Sequence, residues 1–548
     1  MKSIGIGIDD FRTIIKEECF YLDKTKFIEE IVENKTQVQL ITRPRRFGKT
    51  LNMSMLKYFY SIEDRDENRE LFNDLYIEKS PVFEEQGKYP VIFLSFKDIK
   101  AKTADSCIKS ITILIGELYK KYRFLMDVLD ELDRPIYMRY ATNNIGIEEL
   151  EKSLITLCSF LSNYYKECVI LLIDEYDTPI ISSYEYGYYD EIKNFFTTMY
   201  GSVLKGNLSL KKAVLTGIMR ISKENIFSGL NNIRVNSILD KNFAQYFGLT
   251  EEEVESSLRD YGIEYKLEEI QTWYNGYNFG GVRVYNPFSI TSYLDNRKIM
   301  PYWVNTSSNT LINKVLKEAN TSIFEDLSKL FQGEEIEKTI DIYSNFSDLK
   351  SAEQIWYLLT NAGYLTPVKE LGYDKYSLKI PNEEVHYFFE RDFIKSFLGS
   401  RDNFDNILKY LLVGDFESFT YELEKIMLTS VSCFDFSANA DEGYYHVFVL
   451  GMVLALRKEY YIYSNRESGR GRYDLLLEPR DRKRNGFVIE FKAPDSKKYL
   501  EKESEEALKQ IEKNRYFMEL KERGVSNIFL VGMAFNKRDF RLSWKKES

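Results

Sequence analysis

The chain has 548 residues, more than one ordinary domain holds, and a hydrophobic content of 44%, ample for large cores. Its net charge of −10 excludes a polycation that would bind nucleic acid over its whole surface, so any such binding needs a segregated basic face. Five scattered cysteines with no C-x-x-C and only His386 and His446 exclude a disulfide framework and a zinc knuckle, and leave carboxylates to hold any metal, which favours Mg²⁺ or Mn²⁺.

No stretch approaches the length of a membrane span, and the start of the chain, "MKSIGIGIDDFRTIIKEE", lacks the apolar core of a secretion signal, so a cytoplasmic protein without a membrane partner is expected. Four apolar runs, 38–42, 89–96, 167–173 and 212–218, alternate with helical patterns through the first 250 residues. That alternation predicts an α/β domain with a parallel sheet covered by helices. Residues 251–400 read as a mainly helical module with a hairpin in "WYNGYNFGGVRVYNPFSI" (273–290). From 401 to 548 an apolar helix, strands at 472–479 and 486–494, a charged helix and a strand near 526–535 predict a second α/β domain.

The run "LITRPRRFGKTLNMS" carries the second half of a phosphate-binding loop, Gly48-Lys49-Thr50, between a strand and a helix. Backbone N–H groups and the helix N-terminus suit phosphates, Lys49 neutralises charge and Thr50 suits Mg²⁺. Arg43 stands where the first glycine of such loops falls, Pro44 can supply the turn, and Arg45, Arg46 and Phe47 complete the loop. "ILLIDEYD" ends an apolar strand in Asp174, a ligand for the Mg²⁺ shell, and Glu175, suited to polarise the water that attacks a γ-phosphate. "KAVLTGIMR" offers Thr216 as a phosphate or water sensor and Arg220 as a charge stabiliser. Together these elements predict ATP and Mg²⁺ as cofactors.

Near the C-terminus, Asp474 opens one strand, and Glu490 and Lys492 lie two apart on the next, hence on one face. Two carboxylates and a lysine on a buried strand pair can hold a divalent metal and a water for phosphodiester hydrolysis, with Lys492 orienting the water. Arg466, Arg470, Arg472, the 480–484 cluster, Lys497 and Lys498 suggest a local basic field for a phosphate backbone. Gln510 on the following helix is placed to contact the water or the ligand, and Glu442 and Glu467 are further candidate metal ligands.

With "YLDKTKFIEEI", "LITRPRRFGKTLNMSML", "LLIDEYDTPI", "LTGIMRISKENIFSGLNNI", "SNRESGRGRYDLLL", "FVIEFK" and "ALKQIEKNRY", the chain resembles the AAA-ATPase-like proteins fused to a PD-(D/E)XK nuclease domain over nearly its whole length. The resemblance implies that Lys49, Thr50, Asp174 and Glu175 serve ATP and Mg²⁺. It implies equally that Asp474, Glu490 and Lys492 form the nuclease signature, with Gln510 as the associated helix residue. Related nucleases often carry a Tyr four residues after that Gln, whereas Asn514 stands here, with Tyr516 two further on.

The expected function is an ATP-dependent or ATP-regulated metal nuclease acting on nucleic acid, with DNA favoured. Oligomerisation with further copies of the chain is one route for gating, and genome defence or mobile-element biology is the analogy this pairing suggests. The alternative is an ATPase switch whose nuclease-like domain binds nucleic acid or a protein partner without cutting.

Overall fold

The computed structural model describes residues 2–220, 232–304, 321–340, 352–389, 402–429, 442–468 and 471–547. The chain forms two compact units, Met1–Val315 with Glu337–Glu384, and Leu316–Ile336 with Val385–Ser548. Of the quoted sequence, 221–231 lies outside the described residues, as do the side chains of Glu442, Arg466, Glu467 and Arg470.

The first unit is built on β1 (Val38–Thr42), β2 (Val91–Ser95), β3 (Val169–Asp174), β4 (Leu210–Gly217) and β5 (Ile233–Asn236), in the order β2-β3-β4-β1-β5. Every neighbouring pair is parallel. The four predicted apolar runs are β1 to β4. Every residue of β1 and of β3 is buried, which is why these strands read as mainly apolar runs without alternation. The edge strand β5 escapes sequence reading because it is four residues long and only partly buried. Parallel pairing brings the C-terminal ends of β1, β3 and β4 to one edge of the sheet, where the loop after β1, Asp174 and Thr216 meet.

The stretch that follows is mainly helical, as predicted, with helices such as Glu251–Asp260, Pro287–Asn296 and Ala352–Asn361. The hairpin is β6 (Tyr277–Phe279) and β7 (Val282–Val284). Its turn is Gly280-Gly281 with φ of 55° and 91°, the left-handed pair that a two-residue hairpin turn needs. A Cβ on Gly280 would sit 2.1 Å from the Lys241 nitrogen, so the turn also needs glycine for space. A three-stranded sheet follows, β8 (Ile336–Thr339), β9 (Thr366–Gly372) and β10 (Lys375–Lys379), in the order β8-β10-β9.

The second unit carries β11 (Tyr460–Ser468), β12 (Gly471–Pro479), β13 (Gly486–Lys492), β14 (Ile528–Asn536) and β15 (Asp539–Glu547), hydrogen-bonded in that order. Only β13 and β14 pair in parallel, with the helix Leu500–Asn514 between them in sequence. Val488, Leu476, Leu530, Ile511 and Tyr516 share one core between sheet and helix. β15 was not legible as a strand, because most of its residues are at least partly exposed and polar.

Candidate functional site

In the first unit, Gly48 caps the helix Lys49–Tyr60 with φ of 77°, a conformation that favours glycine. Thr50, two residues later, donates its hydroxyl to Asp174 Oδ2 at 2.8 Å. Thr216 donates to the other carboxylate oxygen, Oδ1, at 2.6 Å. Asp174 is fully buried, and burial raises its carboxyl above the ordinary range while the two hydroxyls pull it back. Two hydroxyls from separate stretches thus converge on the carboxylate of a third.

Lys49 donates Nζ to the carbonyls of Arg43 (3.0 Å) and Pro44 (2.8 Å). Its burial lowers the ammonium pKa, while Glu175 and Asp174 oppose that shift. Glu175 itself has φ of 51°, strained for a side chain with Cβ, and accepts the Thr178 hydroxyl at 3.1 Å. These loop residues line a cleft of about 520 Å³ whose other walls include Ile4, Ile8, Phe20, Leu249 and Phe288. The cleft thus joins a charged loop, with Lys97 and Lys100 adding further charge, to apolar walls, a composition that suits a phosphate-bearing aromatic ligand.

The remaining loop residues divide their roles. Arg45 and Arg46 line the cleft, and Arg46 has φ of 66° with its guanidinium 4.9 Å from the Phe288 ring centre. The Phe47 ring is buried between Tyr277 (4.9 Å) and Phe279 (5.2 Å) of the hairpin, so only its backbone can face a phosphate. This packing gives the "WYNGYNF" segment a purpose that its composition alone does not reveal. Arg43 is caged: its guanidinium donates to the carbonyls of Thr42, Asn236 and Asn242 and lies over Phe247 and Phe279. It braces the loop from behind. Arg220 is buried and does not line the cleft, and its carbonyl accepts the Tyr357 hydroxyl at 3.0 Å.

Sequence reasoning missed three features here. Asp177, buried in the same "IDEYD" run, accepts the N–H groups of Ile218 (2.8 Å) and Met219 (3.0 Å) through Oδ2. Burial pushes its carboxyl up to about 6. Gly217 leaves room for it, since a Cβ there would lie 2.7 Å from Asp177 Oδ1. Trp303 donates its indole N–H to the Arg45 carbonyl at 3.0 Å. The "IGIGID" start forms a cleft wall, which its alternation of isoleucine and glycine only hints at.

In the second unit, Asp474 on β12 accepts the Phe491 N–H at 2.7 Å, tying it to β13 beside Glu490. Glu490 is buried, accepts the Gln510 amide, and stands 4.0 Å from Lys492 Nζ. Gln510 reaches it because Gly532, paired with Glu490 across β13 and β14, lets the helix lie directly on the sheet. A Cβ on Gly532 would meet the Ser504 carbonyl at 2.2 Å. The four predicted residues thus come together on one sheet face.

Within the predicted basic field, the 480–484 cluster stands apart from the site. Arg482 pairs with Glu478, Arg484 pairs with Glu459, and the Arg480 guanidinium covers the Tyr461 ring at 4.0 Å. This cluster occupies the β12–β13 turn, at the other end of the hairpin from Asp474, because Asp474 lies in the first half of β12 and Glu490 nears the end of β13. Arg472, exposed and two residues from Asp474 on the same strand, remains beside the site. Asn514 donates to the Tyr516 hydroxyl at 2.8 Å, and the Tyr516 ring is buried against Tyr473, so that tyrosine is a core residue.

Both donor sets fit a hard divalent cation. The first offers a hydroxyl and a carboxylate, the second a pair of carboxylates, and Mg²⁺ is commonly held by one or two carboxylates with water completing its shell. Among the described residues, no group of three or more His, Cys, Asp or Glu converges as a zinc site would require.

The comparisons with known proteins match a family at each end of the chain. A family model described as a predicted AAA-ATPase matches residues 5–227, and one described as the PD-(D/E)XK nuclease superfamily matches residues 440–545. The chain thus joins an AAA-ATPase-like domain to a PD-(D/E)XK nuclease superfamily domain. It is similar to a protein of Azotobacter chroococcum mcd 1 called "Uncharacterized protein in vnfD 5'region". The two are 27% identical over 389 residues, which cover 70% of this chain and 68% of the other. No helix among the described residues is long and apolar enough to cross a membrane.

Proposed function

We propose that the protein is an ATP-dependent or ATP-regulated metal nuclease that hydrolyses phosphodiester bonds in nucleic acid, with DNA the favoured substrate. The observation that carries this reading is the meeting of Asp474, Glu490, Lys492 and Gln510 on one sheet face. A buried glutamate is costly unless it is paired and hydrogen-bonded; Lys492 and Gln510 meet part of that need, and a bound cation would meet more of it.

In the cleft, Lys49 and the N–H groups of the loop would hold the phosphates, and Thr50 and Asp174 would hold Mg²⁺. Glu175 would orient the attacking water, and Thr216 would keep Asp174 in place. In the second unit, Asp474 and Glu490 would hold Mg²⁺ or Mn²⁺, which when bound neutralises charge on the phosphate. Lys492 would orient the water and stabilise the developing charge, with Gln510 fixing the rotamer of Glu490. The described cysteines are free thiols, in keeping with a reducing cytoplasm.

The test is cleavage of labelled DNA and RNA by the full chain in Mg²⁺ or Mn²⁺, with and without ATP, beside Glu490→Gln. Cleavage should fall at least about 100-fold in the variant, the order expected when a group that places charge at the reacting centre is lost. Wild-type cleavage that persists undiminished in the variant would sink the assignment of the site. No wild-type cleavage under any metal or nucleotide condition would instead favour a switch that binds without cutting.

A further inference from the structure

The outer half of the phosphate loop is gripped by residues far along the chain. The Trp303 indole N–H donates to the Arg45 carbonyl at 3.0 Å, across 258 positions of sequence. Trp303 is itself fixed by Glu384, whose fully buried carboxyl accepts the Trp303 backbone N–H at 2.6 Å and the Ser289 hydroxyl at 2.7 Å. Ser289 belongs to the helix Pro287–Asn296, which also gives Phe288 and Thr291 to the cleft wall. One carboxyl therefore ties the tryptophan that holds the loop to the helix that faces the ligand.

The grip has a direct geometric consequence. Within a trans peptide unit the C=O and the following N–H point opposite ways. No cis peptide occurs among the described residues, so fixing the Arg45 carbonyl on the indole turns the Arg46 N–H away from Trp303. Arg45 and Arg46 line the cleft and Trp303 does not. The two sides of this peptide thus face different neighbours, a carbonyl toward the tryptophan and an N–H toward the other side. Phe47, wedged between Tyr277 and Phe279, holds the next residue.

We propose that Trp303 is a positioning residue for nucleotide binding, one that aims the N–H groups of Arg46 to Gly48 at the phosphates by holding the Arg45 carbonyl, and that Glu384 keeps it in place. This rests on reading the cleft as the nucleotide site. It makes the helical module part of the phosphate-binding apparatus, and it explains how a loop without its usual first glycine keeps its shape. A loop left to itself relies on glycine for its turn. Here Arg43 braces it from behind and Trp303 from outside.

Trp303→Phe keeps a ring in the pocket and removes the donor. Binding of Mg²⁺–ATP to the full-length variant should weaken about tenfold, the scale of one hydrogen bond, with KM raised and kcat nearly unchanged. Its melting temperature without nucleotide should stay within a few degrees of wild type. A purely structural tryptophan would instead lower the melting temperature and kcat together.

Hydrogen exchange on the wild-type chain gives a second readout that needs no variant. Saturating nucleotide should slow exchange in peptides that contain Arg46 to Gly48 and, together with them, in the peptide that contains Trp303. Unchanged affinity in a folded Trp303→Phe, or protection of the loop with none at Trp303, overturns the proposal. Wild-type protein that binds no nucleotide overturns the reading of the cleft, and the proposal falls with it.

Discussion

Asp177 shows how a single buried carboxyl shapes the pH response of the molecule. Its pKa, raised to about 6 by burial, means that the folded chain holds a proton there that an unfolded chain has already released above about pH 4. Stability from this group is therefore present at low pH and is lost as pH rises from about 4 to 6. Asp177→Asn keeps an oxygen for the Ile218 and Met219 N–H groups without the charge. Its unfolding free energy relative to wild type, read from denaturant melts, should climb across that pH window and level off above it, by roughly 3 kcal/mol at most. A constant difference between pH 4 and 7 would contradict the assignment. Residues of this kind are hard to read from sequence. Glu490 and Lys492 were legible because two charges in an apolar strand break its pattern. Asp177 and Trp303 act through partners 41 and 258 positions away, which no local pattern records.

Among the elements, the helix Leu500–Asn514 and β14 show how a missing side chain builds a site. The Gly532→Ala methyl group would fall 2.2 Å from the Ser504 carbonyl and 2.6 Å from the Leu508 nitrogen, so the helix must lift. Such overpacking should destabilise the chain by about 1–3 kcal/mol, read from denaturant unfolding of the second unit. It should also reduce cleavage by moving Gln510 off Glu490; full stability with full activity would show that the close approach is dispensable. Parallel strands and the charged helix were readable from apolar runs and helical periodicity. The short edge strand β5 and the outer strand β15 were not, because edge strands need no continuous apolar run. The turn cluster at 480–484 looked like a phosphate-binding field by proximity in sequence. The hairpin places it at the end away from Asp474, where Arg482 and Arg484 pair with Glu478 and Glu459.

At the scale of the whole molecule, the two sites occupy separate units, and the order of the fold classes followed from the succession of apolar runs. What the succession hides is that the units are not consecutive in the chain. Residues 316–336 belong with 385–548, while 337–384 return to the first unit. In the second unit the helix Thr321–Phe331 packs against the helix Glu442–Val453, and Phe331 meets Phe389 at 5.4 Å. The apolar helix at 442–453 thus draws part of its cover from more than one hundred positions upstream.

That interleaving limits how the nuclease-like unit can be handled as a part. A fragment of 401–548 would lack the upstream helix and expose the face that buried Leu327 and Leu330 help to cover. Such a fragment should aggregate or melt well below the full chain in a thermal scan, whereas one starting near residue 316 restores the helix. Equal melting of the 401–548 fragment and the full chain would show the helix to be ornamental. The same wiring restricts inheritance: a crossover before residue 316 carries 337–384 away from the first unit, and one after 384 leaves 316–336 of the second behind. No single crossover therefore exchanges the nuclease-like half whole while leaving the ATPase-like half intact.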